Sequence, residues 1–176
     1  MFSVGDTPPS VERQPVFGLP VRLPDPERTQ LVVFVRSLSS PLTREALFQL
    51  QARHGDFDVE GVQVVAISDS DLELARDFVP RHHLLYPLIT DPEQALFEAW
   101  GVGGAKPLSG RLRGLGVASI RGAVRALRHG HGPIERRQLR LPAQLVLKGG
   151  RVVHAHYGAH VGELPDLDAL LAACLS

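Results

Sequence analysis

The chain has 176 residues, 44% of them apolar, enough to bury one good core, so a single domain over 1–176 is expected. Nineteen basic residues balance nineteen acidic ones, which removes any overall charge argument for nucleic acid. Cys174 is the only cysteine, which excludes an internal disulfide and a cysteine-built zinc site, and no apolar run approaches the roughly 20 residues that span a bilayer.

The start, Met1-Phe-Ser-Val-Gly-Asp6, lacks the basic and apolar blocks of a signal peptide, so a cytoplasmic location is expected. Pro8, Pro9, Pro15, Pro20, Pro24 and Pro26 make the first 30 residues a lead-in with short extended pieces, around Val16-Phe-Gly-Leu19. Leu31-Val-Val-Phe-Val-Arg36 reads as a buried strand. It runs through Ser37-Leu-Ser-Ser40 into Pro41-Leu-Thr43-Arg-Glu45, the opening of a helix over about 42–54 with Ala46, Leu47 and Leu50 on one face. Ser40 is the expected N-cap and Pro41 the first helical residue. Such a junction aims backbone N–H groups and a positive dipole end at one point.

Gly61-Val-Gln-Val-Val-Ala-Ile67 has the continuous apolar character of a parallel strand covered on both faces. Ser70 is expected to cap a helix over 71–79 that Pro80 helps to end. Tyr86-Pro-Leu-Ile89 is a short extended piece, and Asp91-Pro92-Glu93 starts a helix that stops at Trp100-Gly101. Alternation ends there. Between Lys106 and Arg140 nine basic residues face one acid, Glu135, a net charge of +8 that leaves −8 on the rest. Ser119 would cap a helix there with Ile120, Ala123, Val124 and Leu127 on its apolar side and Arg121, Arg125 and Arg128 on the other. Ala143–Leu147 and Val152–His156 flank Lys148-Gly-Gly-Arg151, a strong hairpin signal. A helix over about 166–175 closes the chain, with Leu167, Leu170, Leu171 and Cys174 at one-face spacing. The order predicts an α/β fold with a mixed central sheet and helices on both faces.

Three segments together resemble the peroxiredoxin-like branch of the alkyl hydroperoxide reductase/thiol-specific antioxidant (AhpC/TSA) family. Phe34-Val-Arg36-Ser-Leu-Ser-Ser40-Pro-Leu-Thr43-Arg44-Glu45 is similar to that branch's F-x-R, spacer, C-x-x-C-R-x-E. Val64-Val-Ala-Ile-Ser68, Tyr86-Pro-Leu-Ile-Thr-Asp91-Pro and Trp100-Gly-Val102 resemble its second strand, next strand and following helix. Pro142-Ala-Gln-Leu-Val-Leu147 and Gly149-Gly150-Arg-Val-Val-His154-Ala-His156 resemble its closing hairpin. The resemblance implies a thioredoxin-like fold over most of residues 5–175, with a basic insertion over 103–141 before the C-terminal hairpin and helix. It also implies that Pro142 stands where such folds often carry a cis-proline facing the active site, and that homodimers are common among relatives. Ser40 and Thr43 stand at its two cysteine positions.

A hydroxyl costs far more to ionise than a thiol, so thiol-peroxidase chemistry is not expected at Ser40 and Thr43. The resemblance implies a degenerate active site in a non-peroxidatic binding or regulatory module. The alternative is an antioxidant or thiol-transfer oxidoreductase that uses an external thiol held near Ser40 and Thr43, or Cys174. The ligand-binding candidates are Arg36, Ser40, Pro41, Thr43, Arg44 and Pro142, for a small anionic or thiol ligand. Glu45 would pair with Arg44 if neither meets a ligand. Arg121, Arg125 and Arg128 suit an acidic protein partner. His154 and His156, at i and i+2, face the same way, with His160 close by; three imidazoles would suit zinc or copper, but no acidic or cysteine ligand is adjacent and no metal is expected. No cofactor is implied. Cys174, on an apolar face, reads as a buried thiol.

Overall fold

The computed structural model describes residues 1–103 and 140–176. The expected insertion over 103–141, with the Ser119-capped helix and Arg121, Arg125 and Arg128, lies almost wholly outside the described residues.

The chain opens with two three-residue strands, β1 (Val11–Arg13) and β2 (Val21–Leu23), paired antiparallel. They flank the piece expected to be extended. Val16–Leu19 instead forms the bend between them, where Gly18 takes φ +99° and Val16 N–H bonds Leu88 O at 2.8 Å. Next come β3 (Gln30–Val35), helix α1 (Pro41–Ala52) and a short α2 (His54–Val59). Helix α2 has no apolar periodicity of its own and is held by one apolar anchor, the buried Phe57. Strand β4 (Gln63–Ser68) leads to α3 (Leu72–His82).

Helix α3 corrects two expectations. Its N-cap is Asp71, because the Ser70 hydroxyl is occupied elsewhere, and it runs through Pro80 to His83, which ends it in the left-handed region at φ 51°. So near the C-terminus, proline removes one hydrogen bond without a long following helix to disrupt. After β5 (Leu88–Thr90), helix α4 covers only Ala95–Ala99, shorter than expected. Gln94 at φ 59° delays its start, and Asp91 Oδ2 accepts from Leu96 N–H at 2.8 Å and Phe97 N–H at 3.1 Å. The hairpin β6 (Ala143–Lys148) and β7 (Arg151–Tyr157) and the closing helix α5 (Leu167–Leu175) follow the sequence reading.

The main sheet has the order β5-β4-β3-β6-β7. Strands β3, β4 and β5 are parallel, β6 runs antiparallel to β3, and β7 antiparallel to β6. Alternate side chains of this sheet feed two apolar cores, as strand pleating requires. Leu31, Val33 and Val35 join Leu47, Leu50, Phe57, Phe78 and Leu170 on the face of α1, α2, α3 and α5. Val32 and Phe34 join Ile67, Phe97, Trp100 and Leu145 on the other, where α4 and β2 pack. Helices on both faces of a mixed sheet are thus observed. Leu141–Pro142 is trans; the cis peptide bond among the described residues is Leu23–Pro24.

Candidate functional site

Ligand sites in sheets of this kind form beyond the carboxyl ends of the parallel strands. Here that edge is where β3 hands over to α1. Ser40 is the N-cap of α1 and Pro41 its first residue, as the sequence predicts, and the Ser40 carbonyl accepts the Arg44 N–H at 3.1 Å. The Ser40 hydroxyl does not close onto the helix. The N–H groups of Leu42 and Thr43 belong to the first turn and have no intrahelical acceptor. Thr43 itself is buried, 6% exposed, on the core side of the helix.

The loop ahead of α1 is fixed by a set of serines that sequence reasoning passed over. Ser70 Oγ accepts the buried Leu38 N–H at 2.7 Å, and Ser68 Oγ donates to the Arg36 carbonyl at 2.9 Å. The two hydroxyls lie 3.2 Å apart. The end of β4 thereby holds the last residues of β3 and the approach to Ser40. The available signal was the polar run Ser68-Asp69-Ser70 directly after an apolar strand. Ser39 sits in the same loop with its Oγ buried and without a hydrogen-bond partner among the described residues.

The two arginines behave differently. Arg44 Nε donates to the Leu38 carbonyl at 2.7 Å, and its guanidinium lies 5.6 Å from the Phe78 ring centroid. It therefore braces the loop. Burial lowers its pKa, and repulsion from Arg81 adds to that. Glu45 is buried, 3% exposed, and accepts from Gln49 Nε2 at 2.8 Å. Arg36 is half-buried, and no hydrogen bond or ion pair joins its guanidinium to another described residue. Burial lowers its pKa, partly offset by the nearby Asp69 carboxylate. An arginine remains charged through such shifts, so Arg36 presents an unneutralised cation in a partly desolvated setting.

Pro142 also reaches this edge, at the start of β6. Its carbonyl accepts Gly158 N–H at 2.8 Å, and a Cβ on Gly158 would fall 2.8 Å from Pro142 Cγ, so only glycine fits there. The following loop packs beside α1, where a Cβ on Gly162 would meet Leu42 Cδ1 at 3.4 Å. The loop gathers histidines around an acid that the sequence did not single out. His156 Nε2 bonds Glu163 Oε1, and His160 Nε2 lies 4.0 Å from Glu163 Oε2. His154 instead stands opposite Val146. Among the described residues no group of three or more His, Cys, Asp or Glu is arranged to hold a metal ion.

Cys174 belongs to the core beneath the closing helix. It is 4% exposed within the α5 face of the core, and burial pushes its thiol up to about 11, against a lowering by Lys148.

Among the described residues no helix is long and apolar enough to cross a membrane. A model of the AhpC/TSA family matches residues 4–129. A Mycobacterium tuberculosis protein provisionally named a peroxiredoxin is 29% identical over 122 residues, covering 65% of this chain and 73% of its own length. Among solved structures, the peroxidoxin BcpB of Mycobacterium tuberculosis superposes with a TM-score of 0.68 at 16% identity, covering 99% of this chain and 97% of its own. The bacterioferritin comigratory protein of Xanthomonas campestris, described for its alkyl peroxide reduction activity, gives 0.67 at 19% identity, covering 94% and 90%. A 2-Cys peroxiredoxin of Plasmodium vivax gives 0.70 at 13% identity, covering 97% and 79%. The sheet and its helices are thus those of a thioredoxin-like, peroxiredoxin-type fold.

Proposed function

The chain belongs to the AhpC/TSA family, and from that premise we propose that it is a non-peroxidatic member whose site binds a small anionic or thiol ligand. One observation carries the reading: the only thiol of the chain, Cys174, is buried in the core on the closing helix, while Ser40 and Thr43 open α1. A serine hydroxyl needs an adjacent base to become a nucleophile, and neither Ser40 nor Thr43 has a recorded hydrogen bond to a histidine or carboxylate among the described residues.

What remains at that edge suits binding. The first-turn N–H groups of α1 and its dipole favour a negative charge, and Arg36 adds a cation with no partner among the described residues. Ser40 supplies a hydroxyl there; Pro41 has no N–H, so the first-turn donors are the N–H groups of Leu42 and of Thr43, whose side chain is buried. Pro142 and Leu42 border the same edge. A carboxylate, an oxyanion or the thiolate of a small thiol meets these requirements.

A peroxide-consumption assay with thioredoxin or glutathione as reductant tests the reading. The wild-type chain is expected to consume peroxide no faster than its Ser40→Ala and Cys174→Ala variants. Turnover that either substitution abolishes would replace the binding module with an oxidoreductase.

A further inference from the structure

Two cross-strand pairings place Gln144 in a row across the sheet, opposite Val33 of β3 on one side and His156 of β7 on the other. Residues paired in this way project to the same face, and Val33 belongs to the core under α1. Gln144 therefore lies on the α1 side of β6, two residues beyond Pro142, where the neighbouring positions Val33 and Val146 are apolar. It is 2% exposed, yet its side chain makes no hydrogen bond to a described residue. A buried primary amide left unpaired costs stability that an apolar side chain of the same length would not. The amide is not among the described side-chain atoms that are both unpartnered and sealed from solvent, so an opening reaches it.

The surroundings are polar on one side and adjoin α1 on the other. His156, on the same rung, has its ring fixed by Glu163, whose Oε1 meets His156 Nε2 while Oε2 accepts Ala159 N–H at 2.7 Å. The loop that carries Glu163 starts against Pro142, whose carbonyl accepts Gly158 N–H at 2.8 Å. It then reaches the first turn of α1, where Gly162 lies against Leu42. One loop thus borders both the Gln144–His156 row and the N–H groups that favour an anion.

We propose that Gln144 is a specificity-determining residue of this site, and that the ligand is a carboxylate carrying an amide, as in an acylated amino acid or a short peptide. The proposal rests on the reading of the α1 mouth as an anion site. A primary amide offers both an acceptor and donors, which complement the N–H and carbonyl of a peptide group. With the carboxylate at the first-turn N–H groups, the ligand's amide turns to Gln144 and pairs what the folded chain leaves unpaired. A ligand of the same shape without the N–H leaves Gln144 Oε1 buried and unsatisfied, and sites built to pair a polar group reject such analogues strongly.

The test titrates the full chain with two matched pairs of acids, followed by NMR at the Leu42 and Thr43 amides. N-acetylglycinate is compared with 4-oxopentanoate, and 4-acetamidobutanoate with 6-oxoheptanoate. Within a pair only an N–H is exchanged for a methylene, and the two lengths cover the reach from α1 to Gln144. In the wild type at least one amide acid binds about tenfold more tightly than its partner. In Gln144→Met, whose side chain has similar length and no hydrogen-bonding amide, that ratio falls to about one while the urea midpoint rises, because the unpaired amide is gone. A residue kept only for structure would not gain stability on losing its amide. A preference that persists in a folded Gln144→Met chain overturns the assignment. So do ratios near one for both pairs in the wild type while phosphate still moves the two amides, which spares the anion reading. That comparison needs no variant, so it decides even where Gln144→Met does not fold. If neither phosphate nor any of the acids moves the amides, the anion reading and the subsite fall together.

Discussion

The mouth of α1 and the inner face of α5 divide between them what a thiol peroxidase would keep together. At the mouth stand hydroxyls, a half-buried arginine without a partner among the described residues, and the positive end of a 12-residue helix. On α5 stands the only sulfur, in an apolar setting that pushes its thiol up to about 11. The difference separates two things that a family resemblance joins: the electrostatics that stabilise an anion, and the group that becomes one. The first is a property of backbone and fold and survives a change of side chain. The second is carried by a single atom.

The largest expected effect comes from reuniting them. In Ser40→Cys the new thiol lies at a helix N-terminus beside Arg36, where thiol pKa values fall to about 7 or below. At pH 8 most of it is thiolate, whereas a thiol near 11 is ionised in roughly one molecule per thousand. Iodoacetamide labelling, read peptide by peptide, should therefore modify position 40 about a thousandfold faster than Cys174. Equal rates would break the comparison.

Stability measurements sharpen it further. Ser70→Ala strands the buried Leu38 N–H and should cost about 1–3 kcal/mol in urea unfolding. Cys174→Ser buries a hydroxyl in the apolar core and should cost about 1–2 kcal/mol. Ser40→Ala should change stability by less than about 0.5 kcal/mol, against about 1 for a serine that caps its helix, because this hydroxyl does not bond the helix. A large loss in Ser40→Ala would mark Ser40 as a structural cap.

The smallest effect concerns acid. Burial would raise the Glu163 pKa, but the Ala159 N–H bond and the His156 and His160 charges outweigh it, and the net shift is downward from 4.5. A lowered folded-state pKa contributes stability that is present above the unfolded value and is lost as pH falls through the folded one. Glu163→Gln should therefore flatten the decline of stability below about pH 4.5 and leave the slope at neutral pH unchanged. Acid titration of the two proteins side by side checks this.

The sheet was legible because its cause is local. Apolar runs such as 31–36 and 61–67 must be strands covered on both faces, and Lys148-Gly-Gly-Arg151 has few uses other than a turn. The Ser40–Pro41 helix start was legible for the same reason. What the sequence withheld depends on partners distant along the chain. Ser70 reads as a cap until Leu38, 32 residues away, claims its hydroxyl. Arg44 and Arg36 look alike on the page, and only the fold gives the first a carbonyl and a ring while leaving the second without either. Gln94 and Arg140 carried no motif, since they meet across 46 residues, and Glu163 carried none although its partners His156 and Ala159 lie within seven. Local rules also misjudged Pro80 and Gln94, where a helix continues through proline and another waits for a left-handed residue to pass.

The central claim is that the mouth of α1 keeps a place for an anion although it has no thiol to form one. Its most direct test is a phosphate titration of the wild-type chain and of Arg36→Met, followed at the backbone amides of Leu42 and Thr43. The account predicts saturable shifts of both amides in the wild type and their loss in a folded Arg36→Met chain. Amides that stay fixed throughout the wild-type titration would contradict it.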